Sequence, residues 1–68
     1  MSISLIDYCF HYKIPYSLFN DLSNKESINL VTKIARTIDF LKLETYNPNY
    51  INVNLLKDEI KVKRKSSF

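Results

Sequence analysis

The stretch Thr32–Val53, TKIARTIDFLKLETYNPNYINV, decides how this chain folds, because its second half admits two readings. Its first half has helical spacing throughout. Beyond it, Leu41, Leu43 and Thr45 alternate with polar residues, as do Ile51, Val53 and Leu55, with NPNY between the two sets. A period of two is the mark of a half-buried strand. On that reading the helix stops near Leu41 and residues 41–55 form a hairpin, which gives an α+β winged helix. On the other, the helix runs on to Tyr46 and the chain turns at Pro48 into a further helix.

Two features favour the helical reading. LLKDEI, from Leu55 to Ile60, breaks the alternation at once and is rich in helix formers. NPNY also lacks the Asn-Gly or Asp-Gly pair of a tight hairpin. The expected fold is therefore mainly α, a compact bundle of three to four helices, with the winged helix as the alternative.

Upstream, ISLIDYCFHY offers Leu5, Ile6, Cys9, Phe10 and Tyr12 near helical spacing, with Ser2 or Ser4 as N-cap and Pro15 as terminator. Ser17 can cap a short second helix that buries Leu18, Phe19 and Leu22. Ser23 and Glu26 then form a capping-box pattern and open the longest helix. At about 100° per residue, that helix puts Leu30, Val31, Ile34, Ala35, Ile38 and Leu41 on one arc. Asn29, Thr32, Lys33, Arg36 and Asp39 fall opposite. After the turn, Asn52 or Asn54 can cap a last helix carrying Val53, Leu56 and Ile60 inward.

With 68 residues the chain holds one domain, expected at 1–62 and followed by a flexible basic tail at 63–68. Apolar residues make up 46% and charged residues 25%, which is a folding rather than a disordered composition. Glycine is absent, so no phosphate-cradling loop exists, and the usual left-handed helix cap is missing. Asparagine is expected to cap and turn the chain in its place. One cysteine excludes an internal disulfide and suits a reducing cytosol. Asp7, His11, Lys13 and Pro15 interrupt the longest apolar run too often for a membrane span, and no signal-peptide pattern opens the chain. A cytoplasmic protein with no membrane association is expected.

The net charge of +3 is unevenly placed: Lys61, Lys63, Arg64 and Lys65 supply more than all of it, leaving residues 1–60 at −1. A nucleic-acid domain usually carries its basic charge on a folded face. Here a phosphate-binding role would fall to the tail, or to the polar arc Asn29, Thr32, Lys33 and Arg36, whose side chains are of the types that read bases and phosphates. A helix-turn-helix fits poorly, since Phe19 and Asn24 stand where a small and an apolar residue belong.

No catalytic group or cofactor site is expected. Cys9 and His11 are two apart and diverge on a helix, and one of each cannot supply the roughly four ligands of a zinc site. Cys9 reads as a small core residue.

KIARTIDFL, from Lys33 to Leu41, resembles a short stretch of the helical lid domain of magnesium-chelatase-type AAA+ ATPases. INVNLLKDEI, from Ile51 to Ile60, is similar to the last helix of that lid. The resemblance lies between Lys33 and Ile60. It implies a small helical bundle, and with no phosphate loop it implies no ATPase activity.

The sharpest functional signal is Phe40 with Leu43. If the helix continues to Tyr46, both lie on the polar arc beside Arg36, where large apolar groups call for a cover. That cover is either the last helix or the C-terminal segment ending in Phe68, or else a larger partner protein. In the partner case Phe40 is the anchor, Arg36 its polar neighbour, and Tyr46 and Tyr50 the rim. A second copy of the chain could use the same patch and make a homodimer. The expected function is thus a non-enzymatic interaction protein that docks on and modulates a larger one, with a small DNA-binding regulator as the alternative. Richness in Asn, Lys, Ile and Tyr points to an AT-rich genome, a phage or mobile element among the candidates.

Overall fold

A computed structural model describes residues 4–65. In chain order they form α1 (Leu5–Tyr12), one 3-10 turn (Tyr16–Phe19), α2 (Asn24–Phe40) and α3 (Val53–Lys65). The fold is compact and mainly α, with three helices. Among the described residues there is no strand, so the hairpin at 41–55 does not form and the winged-helix alternative falls.

Each start is capped from its own sequence. The Ser4 hydroxyl accepts from the Asp7 N–H at 3.3 Å and opens α1. At α2 the capping box is complete: Ser23 accepts from the Glu26 N–H at 3.2 Å, and the Glu26 carboxylate accepts from the Ser23 N–H at 3.0 Å. Asn52 caps α3, its side chain accepting from the Leu55 N–H at 3.3 Å. The 3-10 turn departs from expectation: it begins at Tyr16, so Ser17 sits inside it, and no side chain caps it.

The ends explain the fold. At the end of α2, the Lys42 N–H bonds the Asp39 carbonyl at 3.2 Å and the Leu43 N–H bonds the Ile38 carbonyl at 2.9 Å. This is the Schellman pattern, with Lys42 left-handed at φ 59° where glycine is usual. The residue that follows such a cap turns back onto the helix, and Leu43 does so, packing against the core. The helix therefore stops at Phe40 and does not reach Tyr46. At the end of α1 the pattern recurs: Lys13 is left-handed at φ 57°, and the Ile14 N–H bonds the Cys9 carbonyl at 2.9 Å. Ile14 is buried. Lysine, not asparagine, takes both left-handed positions.

Asparagine does turn the chain at NPNY. The Asn47 side chain accepts from the Asn49 N–H at 2.9 Å, and its carbonyl accepts from Tyr50 and Ile51. This turn delivers Ile51 into the core just before α3 begins.

The core lies between α2 and its neighbours. Leu30, Val31, Ile34 and Ile38 are fully enclosed, and Cys9, Ile14, Phe19, Ile51, Val53 and Ile60 close around them. Burying each of the large α2 side chains is worth about 1.5–3 kcal/mol, so this one stripe supplies much of the stability. Three residues of the expected apolar sets are exposed. Leu41 is outside because the helical arc ends before it, leaving it 42% exposed at the cap. Ile6 and Phe10 are outside because α1 buries only a narrow stripe, with Leu5, Tyr8, Cys9 and Tyr12 against the core.

α3 runs back along α2. Asp21, just ahead of α2, receives Lys57 at 2.7 Å and Lys61 at 3.1 Å, while Lys33 at mid-helix lies 3.9 Å from Glu59.

Candidate functional site

The early end of α2 divides the expected docking residues. Phe40 is 84% exposed and Arg36, one turn before it, is exposed on the same side of the helix. Leu43 and Tyr46 are half-buried and pack against the core instead. Tyr50 is exposed in the turn before α3. The five residues therefore do not form one patch: Phe40 and Arg36 remain on a helix face, Leu43 and Tyr46 are structural, and Tyr50 stands on the connecting turn.

A second helix completes the exposed face. Lys33, Leu55, Asp58, Glu59 and Val62 line a shallow groove of about 480 Å³ between α2 and α3. Leu55 and Val62 are 61% and 63% exposed. Phe40 lies two turns beyond Lys33 and one beyond Arg36, so it shares their side of α2. Leu55 and Val62 edge the groove, and Phe40 adds a third large exposed apolar side chain farther along the same side of α2. The α3 members follow i, i+3, i+4 and i+7 spacing from Leu55, a legible signal once the inward set Val53, Leu56 and Ile60 is assigned.

The expected nucleic-acid residues occupy part of the same face. Asn29 and Arg36 are exposed, whereas Thr32 and Lys33 are half-buried. The Thr32 hydroxyl is turned to its own helix, donating to the Ile28 carbonyl at 2.7 Å. Lys33 looks toward Glu59, and Asp58 lines the groove beside it. Two carboxylates beside the basic ridge oppose a phosphate backbone. The side chains of the other basic candidates, Lys63, Arg64 and Lys65, and the expected cover Phe68 lie outside the described residues.

Other parts of the surface offer less. A hollow of about 630 Å³ beside α1 is lined by Asp7, Tyr8, Phe10, His11, Tyr12 and Lys13, all from one helix and its cap. A smaller cleft joins Ile6, Tyr16 and Ile28 and carries no charged side chain. Cys9 is buried, and burial pushes its thiol above the ordinary range. His11 is exposed and sits edge-on to Tyr12, with ring centres 4.7 Å apart. Burial raises the Tyr12 phenol, and the Asp39 carboxylate that accepts its hydrogen bond at 3.3 Å adds to the effect. Burial likewise raises Tyr46. Among the described residues no three His, Cys, Asp or Glu side chains come together as metal ligands. No helix among them is long and apolar enough to cross a membrane.

Fold and face together define a small, compact, mainly helical domain. No family model, no characterised protein and no solved structure matches the chain. The likeness of Lys33–Leu41 and Ile51–Ile60 to an AAA+ lid accordingly carries no argument beyond a helical bundle.

Proposed function

We propose that this chain is a non-enzymatic interaction module that docks on a larger protein through the α2–α3 face and modulates it. The observation that carries this reading is Phe40, a phenyl ring 84% exposed one turn from Arg36 and two turns along α2 from the Lys33 wall of an apolar-edged groove. An aromatic anchor with an arginine neighbour is the composition of an interface hot spot. Leu55 and Val62 extend the apolar area, while Lys33, Arg36, Asp58 and Glu59 supply the polar rim. Leu43 and Tyr46 support the face from within, and Tyr50 stands off it. The buried thiol suits the cytosol as the place of action, and the Asn, Lys, Ile and Tyr richness suits an AT-rich source such as a phage or mobile element.

The DNA-regulator reading is weaker because Asp58 and Glu59 share the face with Lys33 and Arg36, and because the hairpin it relied on is not formed. The test is capture from extract of the native host with the wild-type chain and with the Phe40→Ala, Leu55→Ala double variant. A host protein retained by the first and lost with the second, at unchanged helical circular dichroism, is the expected result. Equal capture by both, or retention of duplex DNA alone, would overturn the reading.

A further inference from the structure

We infer that the α2–α3 face is self-complementary and that its resting occupant is a second copy of this chain, so that a heterologous partner must compete with self-pairing. This rests on the reading of that face as the docking surface. The argument comes from its charge pattern. Lys33 and Glu59 answer each other within the chain at 3.9 Å. Among the described residues, Arg36 on α2 and Asp58 on α3 make no ion pair, so the face keeps one unanswered charge of each sign.

A two-fold axis relates residue i of one copy to residue j of the other, and j to i. An axis set between α2 and α3 lays α2 of one copy on α3 of its mate. Arg36 of each then meets Asp58 of the other, while Phe40, Leu55 and Val62 from both copies cover one another. A partner of a single charge sign would leave either Arg36 or Asp58 opposed by a like charge. A second copy leaves neither. The size of the domain argues the same way, since a small domain buries a smaller fraction of its surface than a large one and gains from pairing.

The test is sedimentation equilibrium of the full chain from micromolar to millimolar concentration. Wild type is expected to dimerise with concentration. Arg36→Asp and Asp58→Arg should each weaken dimerisation about tenfold or more, because each change sets two like-charge contacts across the axis. Mixed in equal amounts, the two variants should form a one-to-one heterodimer, since every contact across the axis is then between opposite charges. A folding defect cannot give that rescue, and Arg36→Ala, with no reversed charge, should weaken pairing less.

A wild type that stays monomeric throughout overturns self-pairing, and if it still captures a Phe40-dependent host protein the face belongs to that partner. A dimer indifferent to both reversals and to Phe40→Ala also overturns the inference, placing self-association elsewhere while the capture experiment still decides the docking reading. Single variants that dimerise apart as readily as together would likewise overturn it.

Discussion

The Tyr46 N–H donates to the Tyr12 carbonyl at 2.8 Å, joining the loop after α2 to the last residue of α1. A terminal helix carbonyl has no partner within its own helix, and this bond supplies one. The Tyr12 side chain makes a second tie, its hydroxyl donating to the Asp39 carboxylate at 3.3 Å. Together they hold the end of α1 against the end of α2, with Leu43 and Tyr46 turned onto the core. The loop that was the candidate wing is thereby a strap over the core. Phe40, on the helix side of the break, is left outside.

Leu43 and Phe40 should therefore respond oppositely to truncation. Leu43→Ala removes a side chain packed on the core and should cost about 2 kcal/mol, toward the lower end for a buried leucine because the residue is only half-enclosed. Phe40→Ala should change stability by no more than about 0.5 kcal/mol, as for an exposed site. Urea unfolding followed by circular dichroism measures both. Equal losses would mean that the ring is covered in solution.

The two left-handed lysines offer a way to stabilise the chain. A non-glycine residue in that region costs about 1–2 kcal/mol, and replacing it with glycine returns part of this against a more flexible unfolded chain. Lys13→Gly should stabilise by about 0.5–1 kcal/mol, and Lys42→Gly by a similar amount, because both occupy positions where glycine is the usual residue. Thermal unfolding of the two variants and their combination checks this. Because the two helix ends are tied through Tyr12 and Asp39, the combined variant measures how far the two caps are coupled.

These caps also show what could be read from the sequence and what could not. The inward arc of α2 from Leu30 to Ile38, its capping box and the Asn52 cap follow from side-chain spacing and local hydrogen bonding, and these are found, whereas Leu41 of the same arc is exposed. The end of α2 does not follow, because its stop signal is a left-handed backbone carried by Lys42, a residue with no preference for that conformation. Period-two spacing at Leu41 and Leu43 reflected one residue at the cap and one folded back beneath it. Leu43 is turned against the core by that same cap, and the bond from Tyr46 to Tyr12 ties down the loop beyond it. On the candidate site, Arg36 and Phe40 were legible as one face of a helix. Leu55, Asp58, Glu59 and Val62 were legible only as the outer stripe of α3; that they line a groove with Lys33 is a fact of tertiary packing.

The capping box of α2 should carry measurable stability despite its exposure. Ser23→Ala removes the acceptor for the Glu26 N–H and should cost about 1 kcal/mol. Ser23→Asp should retain most of that, because aspartate caps well and its charge suits the helix N-terminus. Chemical denaturation of the two variants distinguishes loss of the cap from loss of serine as such.

Asp21 should set a feature of the acid limb of the stability curve. Hydrogen bonds from Lys57 and then Lys61 hold its carboxyl down at about 2, below the ordinary 3.8. A depressed folded-state value means that the unfolded chain takes up the proton first as pH falls. The contribution is therefore fully present above about pH 4 and is lost progressively toward pH 2. Asp21→Asn should remove that segment of the pH dependence while leaving the rest of the curve in place. Because Asp21 is exposed, added salt should shrink the difference between wild type and variant. Urea midpoints measured from pH 5 to pH 2, at low and high salt, provide the check. Parallel curves for the two proteins across that range would show that the Asp21 clamp between the start of α2 and the body of α3 is not held in solution.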